Sequence, residues 1–192
     1  MNGGDVDARA RMVAGAAEMI RRRGVNATSV RELAKHTGAP LGSTYHYFPG
    51  GKSQLAAEAV RWADDRTARR LTEATAAGPA EGLEAFLAMW REILVDSDFQ
   101  AGCPVLAVAV EELADGDSAP RDAAVFAFGH WTTILAGALR RQGVSPHRAT
   151  GTATLIVAAV EGAVVMSRAE RATQPLDTVG EQLRDVLGTV LG

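Results

Sequence analysis

Apolar residues recur along the chain at three- and four-residue intervals, and no stretch alternates polar and apolar well enough to read as a strand. Ala8, Met12, Ala16, Met19 and Ile20 share one face of a first helix. Gly24 supplies its stop, with Arg21, Arg22 and Arg23 at the negative end of its dipole. Ser29-Val-Arg-Glu32 is a capping box that opens a short helix through His36, and Gly38 closes it. Pro40 suits the first turn of another short helix, over residues 40–46, where no backbone N–H is needed. A longer helix from Lys52 or Ser53 to Thr75 carries Leu55, Ala59, Trp62 and Ala63 on one face, and Ala76-Ala-Gly-Pro79 breaks it. Further helices are expected over 80–96, 103–114, 119–142, 145–171 and 175–191, between loops carrying Gly102, Gly116, Gly143, Pro146 and Pro175. The last carries a stripe of Leu176, Val179, Leu183, Val186, Leu187 and Val190. The expectation is an all-α fold of about nine helices.

Composition agrees. Of 192 residues, 47% are hydrophobic and only 5% aromatic, so the apolar content lies mainly in Ala, Leu and Val. Ala and Leu are among the strongest helix formers. A single cysteine, Cys103, excludes a disulfide framework and fits a reducing compartment. The polar, acidic start with Asp5 and Asp7 does not read as a secretory signal. The most apolar stretch, Ala153 to Met166, is interrupted by Glu161 and Gly162 and is too short and polar to span a bilayer. A soluble cytoplasmic protein with no membrane partner is therefore expected.

Charge divides the chain. Residues 1–52 hold eight Lys/Arg (Arg9, Arg11, Arg21, Arg22, Arg23, Arg31, Lys35, Lys52) against four acids (Asp5, Asp7, Glu18, Glu32), a net +4. The whole chain is −3, leaving −7 for the rest. A basic head on an acidic body suits nucleic-acid binding by the head alone.

Two short helices joined by a glycine-containing turn behind a longer helix form a helix-turn-helix pattern. Its second short helix would lie in a major groove with its first residues on bases and phosphates. These are Pro40, Leu41, Gly42, Ser43, Thr44, Tyr45 and His46, with Lys52 just beyond at a helix start. The run Thr28-Ser-Val-Arg-Glu-Leu-Ala-Lys-His-Thr-Gly38, followed by Gly42-Ser-Thr-Tyr-His-Tyr-Phe48 and Lys52, resembles the N-terminal signature of the TetR family of transcriptional regulators. Pro-Leu-Gly-Ser-Thr-Tyr-His-Tyr-Phe-Pro-Gly-Gly-Lys, with Gly102-Cys-Pro104, is similar to the LmrA/YxaF subgroup.

The resemblance implies a DNA-binding domain over 1–54 and a helical ligand-binding and dimerisation domain over 55–192. It places DNA contacts at Ser29 and Arg31 (backbone), Pro40, Leu41, Gly42, Ser43, Tyr45, His46, Tyr47 and Lys52. Leu41 departs from the family pattern, where many members carry Lys, Arg or Ser, and the extra glycine before Lys52 shifts that lysine's setting. Phe48 and Leu33 read as core. The resemblance also implies a homodimer built from the last two long helices. Gly151, Ala158, Ala159 and Gly162 allow close helix approach beside Leu155 and Val165, and Leu183 and Leu187 supply the second surface. A two-fold dimer reads a palindromic operator.

For a small hydrophobic effector the candidates are Phe86, Met89, Trp90, Cys103, Phe126, His130, Trp131, Glu161 and Met166, with Phe128 beside them. Each of these also suits plain core packing. A repressor of efflux or secondary-metabolism genes is the leading expectation; an activator and a ligand-independent architectural protein are the alternatives. Catalysis is not expected: Cys103 and His130 lack any local nucleophile signature. His36, His46, His130 and His147 show no metal-ligand spacing, and no phosphate-cradling glycine motif occurs, so no cofactor or metal is expected.

Overall fold

The computed structural model describes residues 3–112 and 116–192. Among the described residues there are nine α-helices and no strand: α1 (Gly3–Arg23), α2 (Val30–Thr37), α3 (Leu41–Tyr47), α4 (Gly51–Thr75), α5 (Pro79–Asp96), α6 (Pro104–Val110), α7 (Ala119–Arg141), α8 (Pro146–Glu170) and α9 (Gln174–Leu191). The chain divides into two compact units, residues 1–64 with 103–127, and residues 65–102 with 128–192.

In the first unit α1 packs on α2 and α6, and α2 on α3. Met12, Ala16, Met19 and Ile20 are buried as their spacing requires, together with Leu33 and Phe48. Gly15 lets α1 meet α2 closely, since a Cβ there would stand 2.8 Å from the Thr37 methyl carbon. Ser29 caps α2, its hydroxyl oxygen accepting from the Glu32 N–H at 3.1 Å and donating to the Glu32 carboxylate at 3.0 Å. Gly38 ends α2 at φ 68°, a left-handed conformation that a side chain disfavours. A Cβ at Gly38 would touch nothing within 4 Å, so only the backbone resists substitution. Gly38→Ala is expected to cost about 1–2 kcal/mol, read as a lowered urea midpoint with unchanged slope.

Several helix ends shift by one residue from expectation, and two boundaries bear on the site. Pro40 is not inside α3 but precedes it as N-cap, with ψ 135°, so the helix runs over 41–47. The helix expected to reach residue 114 ends at Val110, because Glu111 leaves it to accept backbone N–H groups from Val25 and Asn26. Residues 113 and 114 of that expected helix lie outside the described residues.

The second unit is built around α5, α8 and α9, which pack pairwise. Its core holds Phe86, Trp90, Leu94, Trp131, Leu135 and Leu139, with Ile156, Val160 and Val164 from α8. Arg184 pairs in two-pronged fashion with Glu84 at 2.6 and 2.9 Å, and Arg91 with Asp177, tying α5 to α9 at the surface. At 25 residues, α8 is long and apolar enough to cross a membrane by length and composition alone, although the stretch from Ala153 to Met166 within it is too short to do so. Half of its most apolar stretch is buried among its neighbours, including Glu161 at 4% exposure, as befits the core helix of a globular unit.

Candidate nucleic-acid interface

The helix-turn-helix presents one row of α3 outward and seals the other. Thr44 is fully buried, its hydroxyl donating to the Pro40 carbonyl at 3.2 Å, and Phe48 closes the module at 0% exposure. Arg9 lies over the Phe48 ring at 5.4 Å and donates to Glu58 at 2.6 Å, which gives that arginine a structural task. Arg21 and Arg22 both pair with Glu18. Burial raises the Glu18 carboxyl, and the two guanidinium groups more than reverse this, leaving it below its ordinary value. These three arginines therefore answer to protein partners.

Pro40, Leu41, Gly42, Tyr45 and His46 are exposed, with Tyr45 at 55%, while Ser43 and Tyr47 are half-buried. Gly42 opens onto empty space, which lets a partner approach the backbone. His46 and Tyr47 meet edge to face with centroids 5.7 Å apart. A cleft of about 200 Å³ adjoins this row, lined by Arg11, Met12, Thr37, Pro40, Ser43 and Tyr47 among others. Arg11 was not among the sequence candidates. Its signal was a cation on the outer side of α1 beside inward-facing Met12. Arg31 is exposed on α2, and Ser29 is occupied in capping. Lys52, near the start of α4, donates to the Asn26 carbonyl at 3.0 Å.

Ser53 follows, buried, its hydroxyl donating to the Asp117 carboxylate. That bond, with one from the Ala119 N–H at 2.9 Å, holds the Asp117 carboxyl below its ordinary 3.8. A lowered carboxyl contributes stability above its unfolded value and loses it as pH falls through the folded one. Acid unfolding is thus expected to steepen below about pH 4 in wild type. In Asp117→Asn that portion should vanish, as checked by urea midpoints across pH.

The remaining candidates separate. Phe86, Trp90 and Trp131 come together: Phe86 meets Trp90 edge-on at 6.2 Å and Trp131 at 5.9 Å, with Phe128 against Trp131 at 5.5 Å. Met89 is buried, its sulfur accepting from the Thr67 hydroxyl at 3.8 Å. Cys103 belongs to the first unit, where its sulfur accepts from the Leu106 N–H. His130 is half-buried on the rim of a cleft of about 260 Å³ with Asp65, Arg69, Thr72 and Glu73. Phe126 and Met166 differ from the pocket expectation, standing on the surface at 64% and 53% exposure.

On α8, Gly151, Leu155, Ala158, Gly162 and Val165 face outward and Ala159 is half-buried. Leu183 and Leu187 point inward at 3% exposure each, into the protomer's own core, whereas Val179, Val186 and Val190 of α9 stay partly exposed.

Comparison with known families decides what this module belongs to. The model of bacterial regulatory proteins of the tetR family matches residues 12–59. The model of the LmrA/YxaF-like transcriptional regulator C-terminal domain matches residues 79–182, more than half of the chain. The chain belongs to the TetR family. An HTH-type transcriptional regulator of Mycobacterium tuberculosis is 42% identical to it over 184 residues, covering 93% of each. LmrA of Bacillus subtilis is 30% identical over 183 residues, covering 94% of this chain and 97% of LmrA. In fold, a regulatory protein TetR from Rhodobacter sphaeroides superposes with a TM-score of 0.81 at 24% identity, over 92% of this chain and 96% of the other. The TetR-family chain is therefore a transcriptional regulator and not an enzyme.

Proposed function

We propose that the regulator is a repressor that binds a palindromic operator as a homodimer and is released by a small hydrophobic effector. The observation that carries this reading is the outward row of α3: Leu41, Gly42, Tyr45 and His46 are exposed while Thr44 and Phe48 are sealed. Tyr45 and His46 stand exposed side by side, and both suit base edges and phosphates. Leu41 offers an apolar contact for a thymine methyl group. Ser29, Arg31, Pro40, Ser43, Tyr47 and Lys52 complete the proposed interface, with Arg11 at its rim. DNA binding is assigned to residues 1–54, and sensing and pairing to 55–192. Cytoplasmic action follows from the DNA partner.

The outward stripe of α8 and the partly exposed valines of α9 are the proposed dimer face, because a contiguous apolar strip on one protomer calls for a cover. Small residues along it let two helices approach closely. For the effector, the aromatic cluster of Phe86, Trp90 and Trp131 is the proposed site. Both buried indole N–H groups lack a hydrogen-bond partner among the described residues. An apolar molecule carrying acceptor oxygens would satisfy them. Ligand release of DNA requires tighter effector binding to the DNA-incompetent state.

Selection from a random duplex pool tests the proposal. The expected result is a two-fold symmetric sequence with half-site centres a whole number of helical turns apart. Recovery of no enriched sequence would count against specific operator binding, and a reporter fused to the recovered site gives the sign of regulation.

A further inference from the structure

The residue that follows α6 holds the turn between α1 and α2. Glu111 turns back so that its two carboxylate oxygens accept from consecutive backbone amides. Val25 N–H reaches Oε1 at 3.0 Å and Asn26 N–H reaches Oε2 at 2.8 Å. Next to them, the Asn26 side-chain amide donates to the Glu112 carbonyl at 3.2 Å. Among the described residues, no backbone carbonyl takes either amide, so the carboxylate is their acceptor. The approach needs Gly24: a Cβ there would lie 2.0 Å from Glu111 Oε1, and Gly24 adopts φ 82°. The Asn26 carbonyl in turn accepts from Lys52 Nζ at 3.0 Å. Ser53, the next residue, is held by Asp117 from the far end of the same connection.

We propose that Glu111 is a positioning residue for DNA binding: it fixes the Val25–Asn26 turn so that the Asn26 carbonyl holds the Lys52 ammonium toward an operator phosphate. The inference rests on the reading of Lys52 as a DNA contact. An ammonium has three donors, so the Asn26 carbonyl can hold Lys52 in place and leave donors for phosphate. A carboxylate on two N–H groups is charge-assisted and cannot be copied by an amide, whose NH₂ would face one of the donors. Losing Glu111 therefore frees the turn and, with it, the direction of Lys52.

The test is a salt-dependent anisotropy titration of the full chain on the duplex upstream of its own coding sequence and on a mixed-sequence duplex. It compares wild type, Lys52→Ala, Glu111→Ala and the double variant. Lys52→Ala should lower the slope of log K against log salt by about 1 and weaken both duplexes alike. Glu111→Ala should reproduce that slope change, the double variant should bind no worse than Lys52→Ala, and the Val25 and Asn26 amides should lose hydrogen-exchange protection. Should Glu111→Ala fail to fold, Glu111→Gln keeps the side-chain volume and carries the same comparison. A Glu111 variant with wild-type slope, or losses that multiply with those of Lys52→Ala, overturns the proposal while leaving the DNA interface standing. A wild-type chain that binds neither duplex, or a Lys52→Ala slope equal to wild type, removes the interface role of Lys52 and this inference with it.

Discussion

A Leu155→Arg chain is expected to sediment as a monomer and to bind its operator about 10²–10⁴-fold more weakly than wild type, the range that linking two half-site contacts confers. Leu155 is 47% exposed in the protomer, in line along α8 with Val165 at 49% and Met166 at 53%. Arginine at this position is solvated in the isolated chain, so folding is spared. In a dimer it would be pressed against the symmetry mate of the same helix, opposite its own twin charge. Met166→Lys is expected to act in the same direction from one end of the strip. Leu183→Ala offers the contrast: at 3% exposure that side chain belongs to the protomer core. Its loss should lower stability by about 2–5 kcal/mol. Analytical ultracentrifugation with circular dichroism separates the two outcomes, and a Leu155→Arg chain that remained dimeric would move the interface elsewhere.

Tyr45→Ala and His46→Ala should each weaken specific binding by about 10- to 100-fold, as expected for loss of one base or phosphate contact worth 1–3 kcal/mol. Tyr45 is 55% exposed and His46 is exposed beside it, so neither truncation opens a core cavity and thermal stability should hold. Thr44→Val serves as the opposite case, being fully buried with its hydroxyl on the Pro40 carbonyl. It should cost stability first. Anisotropy on the selected operator against a scrambled duplex reads the loss. If specific and scrambled binding fall together, the side chain touches phosphate; if only specific binding falls, it reads a base.

What the sequence revealed follows from the range of each force. The capping of α2 by Ser29 and Glu32, and its closure at Gly38, are contacts within one or two turns, so residue types at fixed offsets announce them. The burial of Met12, Ala16, Met19 and Ile20 follows from period alone. The end of α6 did not show, because its stop is a carboxylate drawn to amides 85 and 86 residues earlier. No local pattern encodes that pairing. Likewise the stripe on α9 is wide, and periodicity cannot tell which part meets the chain's own core. Leu183 and Leu187 turned inward, leaving Val179, Val186 and Val190 partly outside. Phe126 and Met166 have the composition of a pocket lining and the exposure of a surface, a distinction made only by which way each helix is rotated. For Lys52 the sequence indicated charge at a helix start, but not that the Asn26 carbonyl already holds it.

The central claim, that this regulator reads DNA through α3 as a dimer, is tested most directly by an anisotropy titration of the purified chain against the duplex upstream of its own coding sequence at several salt concentrations. The account predicts saturation at two protomers per site, affinity that falls steeply with salt, and loss of binding in Tyr45→Ala. Absence of binding both to that duplex and to a selected random pool would contradict it.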